Sequence, residues 1–208
     1  MRGRKKSAET RAAILRCAAE VFSQRPYHEV LTDEISGRLK MGKGTLYRYF
    51  ASKEELYFAT LVDGLQGMQD AIDAVLDEPG PLERTIEALT TTIIGYFWQR
   101  RDFFVLLHRH ETRIEPSERA EWQQRREAVV ERVGARIAAE LGRSRTDPRL
   151  AVEMLFGMIR SVCLYRDSRA KPEQLARLVT RTFLSGIRSA APVAAVAPAR
   201  RRAAGGKR

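Results

Sequence analysis

Between Gly42 and Glu55 the chain gathers side chains that suit a polyanion: Lys43, Thr45, Tyr47, Arg48, Tyr49 and Lys53, with Gly44 leaving a gap among them. A helix turning 100° per residue about Leu46 puts Gly42, Leu46 and Phe50 on an inner side, Lys43 and Tyr49 on its flanks, and Gly44, Thr45, Tyr47 and Arg48 outside. The outer arc has the chemistry of a major-groove reader. Gly44 lets the helix approach closely, Thr45 offers a hydroxyl and a methyl, Tyr47 a phenol that can reach phosphate, and Arg48 a fork for phosphate or guanine. Lys43 lies in the first turn, where such helices meet bases. Thr32 reads as the N-cap of the preceding helix, with a hydroxyl that can also face a phosphate. Ser52-Lys53-Glu54-Glu55 has the spacing of a capping box, so a new helix is expected from Ser52, with Lys53 at its positive end as a phosphate anchor.

Other candidate chemistry is weaker. His108 and His110 stand two apart and point in different directions on a helix. His108 and Glu111 share a face, but two ligands do not make a metal site, so none is expected. No glycine-rich phosphate loop, Ser-His-Asp set or Cys-His pair has local support, so no enzyme activity and no cofactor are expected. Residues 82–166 hold a dense aromatic and sulfur-bearing set, from which Tyr96, Phe97, Phe104, His108, Trp122, Met154 and Met158 are candidates for the lining of an effector pocket. The same spacing also builds ordinary core.

The elements that must position these groups are all helical, with no sustained period-2 run. Ile14, Cys17, Ala18, Val21 and Phe22 form the stripe of a first helix ending near Arg25-Pro26. Short helices follow from Thr32 and from Gly42 to Phe50, then a long one from Ser52 to about Asp77. Further helices are expected over 82–100, 102–113, 117–141, 148–166 and 172–189, punctuated by Asp102, Pro116, Gly142, Pro148 and Pro172. The expected domains are a basic arm and helix-turn-helix (1–51), a helical ligand-binding and dimerisation domain (52–189) and a disordered basic tail (190–208).

Charge follows the same division. Residues 1–51 carry 11 Lys/Arg against 5 Asp/Glu, residues 52–189 carry 21 of each, and residues 190–208 carry five basic and no acidic residues. A neutral middle with basic ends suits a nucleic-acid partner. Arg2, Arg4, Lys5 and Lys6 are expected as a disordered arm along the DNA, and the tail around Arg200–Arg202 as a second basic cluster. No apolar run reaches the roughly 18 residues that span a bilayer. The apolar stretch 12–22 is broken by Arg16 and Glu20, so no signal peptide is read there. Cys17 and Cys163 make no disulfide framework, and a cytoplasmic setting with no membrane partner is expected.

Thr32-Asp33-Glu34-Ile35 followed by Gly42-Lys43-Gly44-Thr45-Leu46-Tyr47-Arg48-Tyr49-Phe50-Ala51-Ser52-Lys53-Glu54-Glu55-Leu56 resembles the TetR family of bacterial regulators over about residues 10–60. The resemblance implies an all-α homodimer that represses transcription from double-stranded operator DNA and is released by an unidentified small molecule. It carries DNA contact onto Thr32, Lys43, Gly44, Thr45, Tyr47, Tyr49 and Lys53. It also implies a dimer interface on the last two helices, for which Leu155, Ile159, Val162, Leu178, Thr182 and Gly186 are the candidates. A ligandless accessory regulator or activator is the alternative. The chain departs from the family pattern in the turn, where Lys40 replaces a left-handed glycine and Gly42 a serine N-cap.

Overall fold

Ile14, Leu15, Ala18, Val21 and Phe22 recur at helical spacing and are at most 2% exposed. They make the buried face of helix α1, Arg2–Gln24, in the computed structural model of the chain. The structure describes residues 2–110, 116–141, 147–166 and 170–189. Pro26 stops α1, and the chain then makes one 3₁₀ turn, Tyr27–Glu29, that the spacing did not signal. The segment expected as a disordered arm is instead the start of α1, which runs through Gly3 from Arg2. The basic tail lies outside the described residues.

Helices α2, Thr32–Arg38, and α3, Lys43–Tyr49, follow. Leu31, not Thr32, occupies the N-cap position of α2. Thr32 is its first helical residue, and its hydroxyl is engaged elsewhere. Helix α4, Lys53–Asp77, starts at the expected cap: Ser52 Oγ accepts from Glu55 N at 3.0 Å, while the Glu55 carboxylate reaches one residue beyond the N-cap and accepts from Ala51 N at 2.6 Å. Then come α5 (Leu82–Gln99), α6 (Arg101–His110), α7 (Pro116–Leu141), α8 (Pro148–Tyr165) and α9 (Pro172–Ser189). The fold is all-α, and no strand occurs among the described residues. Among them, no helix is long and apolar enough to cross a membrane.

Helix α5 is the axis of the larger region, packed on α4, α6, α7, α8 and α9. Helix α1 lies against both α4 and α6, so the N-terminal helices are seated on the rest of the molecule rather than tethered to it. One close approach fixes that seat. A Cβ at Gly64 would overlap the Phe103 ring, so only glycine lets α6 press this ring into α4. Tyr96 Oη donates to Gly64 O at 2.7 Å, and Arg100 joins Tyr96 Oη (2.9 Å) to Asp63 (3.1 Å). Asp102, at the start of α6, accepts from Ser23 Oγ near the end of α1 at 3.0 Å.

The last two helices require a correction. Leu155 and Ile159, expected at a subunit interface, belong to the chain's own core at 0% and 2% exposure. They share the row of Ala151 and Cys163, which α8 turns inward. Met154, expected in a pocket, faces solvent at 54% exposure on the opposite side of α8. Val162 is half-buried, and Thr182 and Gly186 are exposed on α9, as is Leu178.

Candidate nucleic-acid interface and effector cavity

The corner between α2 and α3 is closed by backbone bonds. Met41 N donates to Ser36 O and Lys40 N to Gly37 O, both at 3.0 Å, the pairing of a Schellman C-cap. This motif needs a left-handed residue, and Lys40 supplies it at φ 50°. A non-glycine residue there costs on the order of 1 kcal/mol. Leu46 and Phe50, both buried, plug α3 into the core, and Cys17 and Ile35 hold α1 to α2 behind it. Glu34 ties α2 down through Arg25 and pairs, at 2.8 Å, with Arg38 of its own helix. Burial pushes the Glu34 carboxyl up, but the two guanidinium groups outweigh it and hold it below its ordinary value.

This frame leaves Lys43, Gly44, Tyr47 and Arg48 exposed on one side of α3, with Thr45 half-buried beside them. Tyr47 Oη lies 3.0 Å from Thr32 Oγ1, so the two hydroxyls form one polar unit where α2 meets α3. Lys43 Nζ pairs with Asp33 at 2.8 Å, and that hydrogen bond, with the charge beside it, holds the ammonium above its ordinary pKa. Beyond its chain neighbours and its own helix backbone, a Cβ at Gly44 would meet no atom within 4 Å. The surface is therefore a short helix with hydroxyls, two cations and a gap in the middle, which can approach stacked bases and pair with phosphates.

Two of the expected contact residues are directed elsewhere. Tyr49 is half-buried against α1, where hydrogen bonding with Ser7 first, and then with Thr10 and Arg48, holds its phenol below the ordinary value. Lys53 Nζ donates to Val30 O at 2.9 Å and sits 4.4 Å from the centre of the Tyr27 ring. The lysine that read as a phosphate anchor thus staples the first turn of α4 to the loop before α2. Nothing in the residue pattern marks Tyr27 and Val30 as its partners, because the 3₁₀ turn that presents them has no periodic signature.

The second candidate site is a cavity of 280 Å³ bounded by α4, α5, α6, α7 and α8. Phe97, Phe104 and His108 line it, as the aromatic clustering suggested. Tyr96 is instead committed to Gly64, Met158 packs against the core and Met154 is on the outer face. The Trp122 side chain lies outside the described residues. Sequence reasoning missed the α4 wall, Leu65, Met68 and Ile72, and the polar residues of the mouth, Arg126, Glu153 and Arg160. Arg160 stands four residues after Phe156, the spacing of one helix face. On its own that spacing cannot be told from an ordinary surface arginine.

Residues 14–60 match the family profile of bacterial regulatory proteins, tetR family. The chain is 40% identical over 84 residues to the HTH-type transcriptional activator FasR of Mycolicibacterium smegmatis, a match covering 38% of each protein. It thus spans less than half the length of the curated relatives it matches. Whole-fold similarity extends further. A TetR family regulator, PfmR of Thermus thermophilus, superposes with a TM-score of 0.73 at 24% identity, over 83% of this chain and 97% of that one. FadR of Bacillus subtilis, solved in complex with stearoyl-CoA, superposes with a TM-score of 0.71 at 16% identity, over 84% and 98%.

Proposed function

We propose that this chain is a ligand-responsive repressor of the TetR family, whose profile its residues 14–60 match. In this reading it binds palindromic operator DNA as a homodimer and leaves when a small lipophilic effector enters the cavity. Lys43, Gly44, Thr45, Tyr47 and Arg48 meet the DNA, with Thr32 in the same polar unit as Tyr47. Tyr49 and Lys53 act as positioning residues, holding α1 and α4 against the reader.

The observation that carries the reading is the double role of α4. Leu65, Met68 and Ile72 of this helix wall the cavity, while Ser52 and Lys53 at its start fix the reader's base. An occupant that displaces the α4 wall therefore changes the reader's tilt. A dimer must present two readers one helical turn of DNA apart, so a small tilt in each costs several contacts together. For the dimer surface, the reading uses the exposed row Leu178, Thr182 and Gly186 of α9, with Met154, Val162 and Tyr165 of α8 beside it. The stearoyl-CoA of the FadR neighbour supports a lipophilic effector. An activator is the second reading, favoured by the name of FasR, whose 40% identity is the higher of the two sequence relatives compared.

The test is a mobility shift of genomic fragments with the purified chain, followed by transcription from any bound promoter. Retarded palindromic fragments and reduced transcription are expected. Sequence-specific retardation with increased transcription would establish the activator reading instead, and no specific fragment at all would overturn both.

A further inference from the structure

Building on the reading of α3 as the DNA-contact helix, we infer that Asp33 and Lys43 work as one dyad that reads a single G·C base pair in each half-site. Lys43 donates to the guanine, and Asp33 of α2 accepts from the cytosine paired with it.

A carboxylate beside phosphates weakens binding to every duplex, so a surface that held DNA by charge alone would lack one. The neighbouring Glu34 is committed within the protein, to Arg25 and Arg38. The Asp33 side chain is 62% exposed and lies 2.8 Å from Lys43 Nζ, itself on a side chain 58% exposed. A pair this exposed adds little to folding stability, so the fold does not account for it. Its place on the surface is nonetheless fixed. Lys43 and Tyr47 stand one turn apart on α3, and α2 meets both, through Asp33 at Lys43 and Thr32 at Tyr47. The carboxylate is thereby held on the working surface, close to the gap at Gly44.

A donor and an acceptor at this spacing match the major-groove edge of one base pair. In G·C, guanine O6 and cytosine N4 lie about 2.9 Å apart, the length of the hydrogen bond that joins them. O6 keeps a lone pair for the groove, and N4 keeps a hydrogen. The ammonium meets O6, with N7 beside it as a second acceptor, while the carboxylate meets N4–H. The reversed pair, C·G, would set the carboxylate against O6 and repel it. T·A offers an acceptor and a donor in O4 and N6, but it gives the ammonium one acceptor only, with the thymine methyl crowding it.

The test is selection of binding duplexes from a random pool by the full-length chain, followed by fluorescence anisotropy on the enriched duplex. The parent enriches G·C at one fixed position of each half-site. N4-methylcytosine at that position keeps the pairing hydrogen and loses the free one. In one half-site it weakens the parent by about fivefold or more and leaves the affinity of an Asp33→Ala variant unmoved. Replacing the guanine by 7-deazaguanine, which lacks the N7 acceptor, weakens both proteins, since both keep Lys43. On a duplex of unrelated sequence Asp33→Ala binds more tightly than the parent. Its salt slope there is steeper by about 0.9 for each reader bound, because Lys43 is free to meet a phosphate. The residue being exposed, the variant keeps the parent's melting temperature. An N4-methyl effect that is missing from the parent, or equal in both proteins, overturns the cytosine contact and leaves Asp33 a counterion for Lys43. T·A at the enriched position overturns the base assignment. A parent that enriches no sequence overturns the reading of α3 itself.

Discussion

The reader and the effector cavity are built on opposite plans. The reader draws its working surface from two short helices, with Thr32 and Arg48 only sixteen positions apart. The cavity draws its wall from five helices, with Leu65 and Arg160 at its extremes. The reader's working surface is set mainly by local features: a turn closed by backbone bonds, a Leu46/Phe50 pair four positions apart and the Ser52 cap. Every feature of the cavity depends on helix crossings. The reader therefore leaves a compact pattern in the sequence, while the cavity leaves scattered residues that pass for core or surface.

That contrast can be tested by substitution. Leu46→Ala should have the largest effect. It empties a fully buried site in a region with little else to fill it, and should cost about 2–5 kcal/mol by denaturant titration. A cost below about 1 kcal/mol would mean that the reader is held by its neighbours and not by its own plug. Gly64→Ala comes next, since its new methyl meets the Phe103 ring. It should destabilise by about 1–3 kcal/mol and alter the effector's influence on DNA affinity, as the seat of α4 moves. Unchanged stability and unchanged coupling would show that α6 does not bear on α4 through this ring.

Ser52→Ala removes the acceptor for Glu55 N and should cost about 1 kcal/mol. The smallest effect should come from Lys40→Gly, which relieves the left-handed strain and should gain on the order of 0.5–1 kcal/mol in thermal unfolding. A loss there would mean that the lysine side chain contributes more than its backbone costs.

What the sequence made legible follows the same division. The helices were readable because apolar spacing and proline breaks act within one element: Pro148 and Pro172 open α8 and α9 as expected. The left-handed Lys40 was legible only through the family resemblance, whose pattern has a glycine there. Thr32 was misread as an N-cap, and the tertiary contacts of Thr32 and Lys53 were not legible, since each reads as a terminal residue with a free polar end. Tertiary partners, Tyr47 for one and Val30 with Tyr27 for the other, occupy that end. On α8 the amphipathic row of Leu155 and Ile159 was visible, but nothing in one helix says whether its apolar face meets its own chain or another. The cavity mouth was invisible for the same reason. Arg126 and Arg160 are separated by a loop and by turns of two helices, and only packing brings them to one opening.

DNA recognition by this chain depends above all on the outer side of α3 approaching the duplex at close range, and Gly44 tests this most directly. A methyl there meets nothing in the protein, and alanine is favoured over glycine in a helix by about 1 kcal/mol. Gly44→Ala should therefore fold at least as stably as the parent chain. Measured by fluorescence anisotropy on a palindromic operator fragment, it should bind at least tenfold more weakly, because the methyl occupies space the DNA needs. A stable Gly44→Ala variant with full operator affinity would contradict the placement of this face against DNA.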